Sequence, residues 1–346
     1  MKKIKCVIWD LDNTVWEGVL AEGDTLLVKD KSVKTIKELD RRGILQSIAS
    51  KNDFDYAMQK LNDVGIADYF LCPQIHWEAK STSIKKIVEK LNIGMDSVAF
   101  IDDQQFELDE VKYVNPDITC INADKISDIL DMPCMVPKYI TSDSAMRRKL
   151  YQIDFERKRA EESFQGPQDA FLKTLKMKFV IKLAKERDLV RAEELTERTH
   201  QLNSTGYTYS YSELKKMVES PDYIVLVADL QDKYGTYGTI GLVVIEMKNN
   251  EWVIKLLLMS CRTISRGAGS ILLNYLIHYT YENNVQLRAE FVHNKRNRMM
   301  YITYKFLGFK LIQKLGDVEI LVHEHSNIQD MPDYVEIEQT QGIFLL

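Results

Sequence analysis

The sequence predicts an α/β chain in two parts, an N-terminal doubly wound parallel sheet followed by an α/β domain with a mixed sheet. From about residue 3 to 122, short apolar runs alternate with amphipathic stretches, the pattern of parallel strands covered by helices. Two prolines in Met132-Pro-Cys-Met-Val-Pro137 and a highly charged helical stretch from about Ser142 to Ser163 then break the rhythm. Beyond Pro167 three apolar runs follow one another as an antiparallel meander would. At 346 residues the chain exceeds one ordinary core, since domains run to roughly 100 to 200 residues. The expected limits are 1–135 for the first domain, 136–166 for a linker and helical segment, and 167–346 for the second domain.

Taken in order, Ile4 to Trp9, Ile44 to Ala49, Tyr69 to Cys72, Ser97 to Ile101 and Ile118 to Ile121 read as strands. Ser32 is positioned to cap a helix running to Gly43, Asp53 one ending near Gly65, and Ser81 or Ser83 one closed by Gly94. The second part reads helix, strand, helix to about Leu202, then strands at Tyr223 to Asp229, Thr239 to Glu246 and Trp252 to Ser260. The turn Lys248-Asn249-Asn250 joins the last two. A helix from about Gly269, a strand at Gln286 to Phe291, a helix to Phe306 and a strand near Phe309 to His323 complete the pattern.

With 45% hydrophobic residues the chain can fill two cores, and a formal charge of -5 offers no global attraction to nucleic acid. Five cysteines, odd in number and without CxxC spacing, argue against a disulfide framework and a zinc site. No apolar segment is long enough for a signal peptide or membrane span, so a cytoplasmic protein without membrane partners is expected.

In an open parallel sheet ligands bind beyond the carboxyl ends of the strands, and polar residues recur there. Strand one ends in Asp10 and Asp12, strand two in Ser50-Lys51-Asn52, the loop after strand three leads to Lys80, and strand four ends in Asp102-Asp103. Asp10 and Asp12, two residues apart, face one volume when extended. Like charges that close require a cation, and hard oxygen ligands favour Mg2+, with Asp102 able to close the shell. Ser50 and Lys80 add a donor and a positive charge suited to a phosphoryl group, with Lys51 and Asn52 beside them as candidate substrate contacts. Neither the interval from Thr14 to the helix near Lys31 nor that from Ser50 to Lys80 has room for a large cap domain.

The run Asp10-Leu11-Asp12-Asn13-Thr14 resembles the signature of the haloacid dehalogenase superfamily of phosphotransferases. The resemblance implies Asp10 as the nucleophile that becomes an aspartyl phosphate and Asp12 as general acid and base. It further implies Ser50 and Lys80 on the phosphoryl oxygens, Asp10 and Asp102 on magnesium, and Asp103 as a further ligand or neighbour.

In the second domain, Ser260-Cys261-Arg262-Thr263-Ile264-Ser265-Arg266-Gly267-Ala268-Gly269-Ser270 lies between a strand and a helix, where a glycine turn exposes backbone N–H groups suited to a pyrophosphate. It resembles the acyl-coenzyme A loop of the GNAT acyltransferases, and Asn297 with Tyr304-Lys-Phe-Leu-Gly308-Phe309 resembles their later motif. Ile264 and Met300 depart from that pattern. Arg262, Arg266, Gly267, Gly269, Asn297 and Tyr304 are thereby candidate acyl or pantetheine contacts.

A haloacid dehalogenase domain (subfamily IIIC) followed by a GNAT-like domain is similar to the FkbH-like proteins. Trp9 to Trp16, Ser50 to Asp53, Phe100 to Asp103, Arg198 to Thr205 and Leu258 to Arg262 carry the likeness. Glu17, Gln104-Gln105 and His293-Asn294 depart from it. The family implies glyceryl transfer from 1,3-bisphosphoglycerate to an acyl carrier protein, with loss of phosphate. In that setting Cys261 is a candidate acyl carrier that passes the glyceryl group to the phosphopantetheine thiol; its competing reading is a small residue packed under the loop. Other readings are a phosphatase whose second domain only binds a partner, and an acyltransferase of sugar or surface-polymer precursors paired with a phosphatase.

Overall fold

The computed structural model, which describes residues 3–326 and 328–339, divides between Phe155 and Glu156 into two units. The chain limits 1 and 346 of the expected domains lie outside the described residues.

The first unit contains β1 (Cys6–Trp9), β2 (Trp16–Glu17), β3 (Leu27–Val28), α1 (Asp30–Arg41), β4 (Leu45–Ser50) and α2 (Phe54–Asp63). It continues with β5 (Gln74–Ile75), α3 (Lys80–Leu91), β6 (Val98–Asp102), α4 (Gln105–Val114), β7 (Thr119–Asn122) and α5 (Ser142–Ala145); the unit boundary falls within α6 (Arg147–Ser163). The order β5-β4-β1-β6-β7 is parallel throughout. Successive side chains of β1 serve opposite faces: Val7 and Trp9 pack with Ile36, Leu39 and Ile48, while Cys6 and Ile8 pack with Ile84, Ile87 and Phe100. Both faces are covered, so β1, β4 and β6 are buried along their whole length. The chain runs outward from β1 through β4 to β5, then returns to β6 on the other side, which places the topological switch beside β1.

Between β1 and α1 lie only the β2–β3 hairpin and one 3₁₀ turn, and between β4 and α3 only α2, a 3₁₀ turn and β5. The third strand is displaced from its expected place. Phe70 makes a single bridge to Gln46, and Cys72 at φ 43 followed by Pro73 ends extension, so the paired strand is Gln74–Ile75. Asp53 caps α2, its Oδ1 accepting from Tyr56 N at 3.0 Å. Ser32 and Ser81 are not caps. Ser32 lies within α1 and donates to Thr14 O at 2.9 Å, whereas Ser81, inside α3, donates to Glu110 at 2.5 Å. Asn92 in the left-handed region, not Gly94, closes α3.

The second unit holds α7 (Gln168–Leu175), β8 (Met177–Leu183), α8 (Glu186–Arg198), α9 (Tyr211–Glu219), β9 (Tyr223–Asp232), β10 (Gly235–Lys248) and β11 (Glu251–Met259). After these come α10 (Ala268–Glu282), β12 (Gln286–Val292), α11 (Arg298–Phe306), β13 (Lys310–Leu315), β14 (Val318–His323) and β15 (Val335–Gln339). Eight strands form one mixed sheet in the order β13-β14-β12-β11-β10-β9-β8-β15. The β11–β12 and β15–β8 pairs are parallel, and the meander β9–β10–β11 is antiparallel. The expected last strand is a hairpin turning at Gly316, where φ is 61. Two elements were not anticipated, β15 and α9. The latter carries a readable capping box, Ser210 with Glu213 three residues on.

β11 and β12 pair only from Glu251 with Gln286 to Ile254 with Ala289, and then part. Among the described residues no helix is long and apolar enough to cross a membrane.

Candidate active site

Asp10 follows β1 and Asp102 ends β6, and the two neighbouring strands deliver both carboxylates to the switch point. Lys80, the first residue of α3, places Nζ 2.9 Å from Asp10 Oδ1 and 2.6 Å from Asp102 Oδ2. All three residues are buried. Burial pushes the Asp10 carboxyl up to about 6, against the pull of the Lys80 ammonium. Asp102 is raised by the same cause. Burial works against the charge on Lys80, but the two carboxylates outweigh it and hold its pKa above the ordinary ammonium value.

Asp103 joins Asp10 and Asp102 in a group whose ligand oxygens lie within 4.8 Å of one another, with Lys80 paired to the first two and Lys29 also acting on Asp103. Among the described residues Asp103 Oδ1 is buried without a hydrogen-bond partner, and the Asp103 pKa is raised by burial and by Asp10. An orphaned oxygen amid excess negative charge fits a hard divalent cation, and these three carboxylates are the residues that would hold it.

The Asp12 carboxylate stands outside that trio, held by three donors. Oδ1 accepts from Trp16 Nε1 at 2.8 Å and from Leu20 N at 3.2 Å, and Oδ2 accepts from Asn52 Nδ2 at 3.0 Å. Asn52 also reaches Ser50 Oγ at 3.3 Å, and Ser50 bonds Asp10. Asn52 therefore ties the two acids through one short bridge. Lys51 turns elsewhere, to Glu107 on α4 at 2.7 Å. Asn13 takes a left-handed conformation, φ 52, in which its carbonyl accepts from Lys29 Nζ and its side chain from Gly18 N at 3.1 Å. Sequence reasoning missed the roles of Trp16, Lys29 and Glu107. The spacing of Trp16 four residues after Asp12 was the available signal for the first; nothing in the spacing marked the other two.

In the second unit, half-buried Cys261 opens a 3₁₀ turn beyond β11. Arg262 and Arg266 point inward. Arg262 Nη2 donates to Tyr237 O at 2.9 Å, and Arg266, 3% exposed, pairs with Glu161 at 2.9 Å and donates to Tyr237 Oη at 3.2 Å. Gly267 has φ +68, and a Cβ there would stand 3.0 Å from Tyr334 Oη. Gly269 packs near Met259. Asn297 is buried, its Nδ2 donating to Asn203 O at 3.0 Å and Val292 O at 2.8 Å. Tyr304 is buried beside Ser204, and burial raises its phenol above the ordinary range.

No family profile matches the chain, and no curated protein matches it. Among solved structures, the chain is similar to the N-terminal part of protein BF1531 from Bacteroides fragilis, which contains a phosphatase domain and was complexed with Mg. That match is 31% identical over 38% of this chain and 39% of that one, with a TM-score of 0.34. The chain thus spans well under half of that structure's length. It is also similar to the PaiA N-acetyltransferase of Thermoplasma acidophilum in complex with coenzyme A, 15% identical over 42% of this chain and 98% of that one, TM-score 0.34. An acetyltransferase of the GNAT family from Streptococcus pneumoniae is 18% identical over 42% and 99%, TM-score 0.33.

Proposed function

We propose that the chain is a magnesium-dependent phosphotransferase and phosphatase of the haloacid dehalogenase type, coupled to an acyl-transfer unit of the FkbH-like kind. Its reaction is transfer of a glyceryl group from 1,3-bisphosphoglycerate to an acyl carrier protein, with loss of phosphate, in the cytoplasm. The observation that carries the phosphoryl chemistry is Lys80 bridging Asp10 and Asp102 beside the unpartnered Asp103 oxygen. Bound magnesium would supply charge neutralisation to the phosphoryl oxygens.

The chain's own residues do the rest. Asp10 attacks phosphorus, the phosphorus–oxygen ester bond breaks, and Asp12 gives the departing oxygen its proton. Asp12 then takes a proton from the water that releases phosphate and restores Asp10. Lys80 and Ser50 hold the phosphoryl oxygens. At Cys261 the thiolate attacks the acyl-phosphate carbonyl, the carbon–oxygen bond breaks and phosphate leaves. The phosphopantetheine thiol of the carrier then attacks the thioester and frees Cys261.

Intact-mass measurement after incubation with magnesium and enzymatically generated 1,3-bisphosphoglycerate, with and without a holo carrier protein, tests this sequence. A glyceryl mass shift on the protein that moves to the carrier is expected. Cys261→Ser should lose both shifts while phosphate release persists; normal carrier loading by that variant rejects the relay. The inward turn of Arg262 and Arg266 favours one second reading, a phosphatase whose other unit binds a partner without chemistry. It predicts phosphate release with no acyl-enzyme.

A further inference from the structure

Where two parallel strands part, each leaves a row of main-chain groups without a neighbour, and buried groups of that kind must find partners. An extended arm bearing amides can enter such a gap as an added strand. Coenzyme A has that form, two amides followed by a diphosphate, and a helix that begins at a glycine turn is where a diphosphate would settle. β11 and β12 part after Ile254 and Ala289, and the Gly267 turn opens α10 just beyond β11. The layout is thus the one such a ligand needs.

We infer that the second unit takes no coenzyme A, because its own chain fills the gap between the strands and crowds the turn beside it. Leu202, Asn203 and Ser204 lie in the gap, and Asn203 makes a single antiparallel bridge to Leu258. Ser204 N donates to Leu257 O at 3.0 Å, and Ser204 Oγ accepts from Leu257 N at 3.0 Å. Met259 N donates to Leu202 O at 2.9 Å. On the other wall Val292 N donates to Ser204 O at 3.0 Å. Asn297 fastens the insert, bonding Asn203 O and Val292 O together. These residues are buried, Ser204 and Asn297 with no exposed surface. The groups an arm would use are already paired with good geometry, and exchanging them for a ligand gains no net hydrogen bond.

The glycine turn is crowded independently, since a Cβ on Gly267 would stand 3.0 Å from Tyr334 Oη. The Tyr334 segment is tied to α10 by Asn274 donating to Gln329 O at 3.0 Å and by His278 against the same carbonyl at 2.8 Å. Arg266, the residue before Gly267, is committed to Glu161. The acyl donor therefore belongs to another class. Only in naming it an acyl phosphate does the inference rest on the proposed function.

Titration calorimetry of the full chain with coenzyme A and with acetyl-coenzyme A should show no binding up to ~1 mM, a ceiling equal to about 4 kcal/mol of affinity. Hydrogen exchange should find the amides of Leu257, Met259 and Val292 protected without ligand and unchanged when coenzyme A is added. Binding below ~1 mM with altered exchange across residues 257–269 overturns the inference. So does rapid exchange at those three amides, since the gap would then be open. Glyceryl loading and phosphate release are read in separate assays, so their failure rejects the proposed function and leaves the donor exclusion standing.

Discussion

Two strand ends, one in each unit, treat polar groups in opposite ways. Beyond β1 and β6 the chain brings Asp10, Asp102 and Asp103 together around Lys80 and, among the described residues, leaves Asp103 Oδ1 without a hydrogen-bond partner. Beyond β11 and β12 it supplies Leu202, Asn203 and Ser204 to pair main-chain groups of both walls. The first arrangement costs stability, a cost that a bound cation would offset. The second contributes stability and excludes a guest. A similar topological opening is thus a site in one unit and core in the other, and the difference lies in whether hydrogen bonds are left unmade.

The comparison breaks most visibly at Asp10. Asp10→Asn should lower magnesium-dependent phosphate release by about 10,000-fold or more, and Asp12→Asn by about 100- to 10,000-fold, each in a folded protein. Wild-type turnover by Asp10→Asn would exclude the covalent route. Lys80→Ala should cost about 100- to 1,000-fold in turnover by removing one positioned charge. If that variant turns over like its parent, the lysine only balances buried charge.

Stability measurements sharpen the contrast further. Asn297→Ala strips partners from Asn203 O and Val292 O and should destabilise by about 2 kcal/mol in urea unfolding. Asp103→Asn should instead gain about 1 kcal/mol in the metal-free protein, while raising the magnesium needed for half activity by about 10-fold or more. Equal losses from both substitutions would erase the distinction between site and core.

The smallest effect expected is a pH slope. Burial, helped by His325, lowers the His323 imidazole from its ordinary value to about 4. The folded state therefore holds this ring neutral while the unfolded chain protonates near 6.5. The unfolded state binds more protons between those values, so stability falls as pH falls from about 6.5 to 4. His323 Nδ1 accepts from His325 N at 3.1 Å, a bond that protonation of that nitrogen would break. Thermal unfolding of His323→Leu should show a flatter slope across that range, and an unchanged slope would assign it to other groups.

Much of the first unit was legible because buried parallel strands appear as unbroken apolar runs with polar residues at their ends. Asp10, Ser50 and Asp102 occupy such ends or the position just after one, and Lys80 opens the helix that follows β5. Lys51 shows the limit of that rule: its position matched, but Glu107 on a helix remote in sequence draws it away. The same holds for Arg262 and Arg266, which the resemblance offered as acyl or pantetheine contacts but which bond Tyr237 and Glu161. The third strand was misplaced by a few residues, because apolar Tyr69 to Cys72 extends only where the backbone allows, and Cys72 does not.

The sequence by itself determined the alternation of strands and helices, the change of pattern after Pro167, and the acids, serine and lysine at the strand ends, because periodicity and residue chemistry are local properties. Tertiary structure alone decided that Asp103 Oδ1 finds no hydrogen-bond partner among the described residues, that Asp12 is held by Trp16 and Asn52, and that Leu202 to Ser204 lie between β11 and β12. Each depends on which distant groups the fold brings within hydrogen-bond distance. No local pattern encodes that.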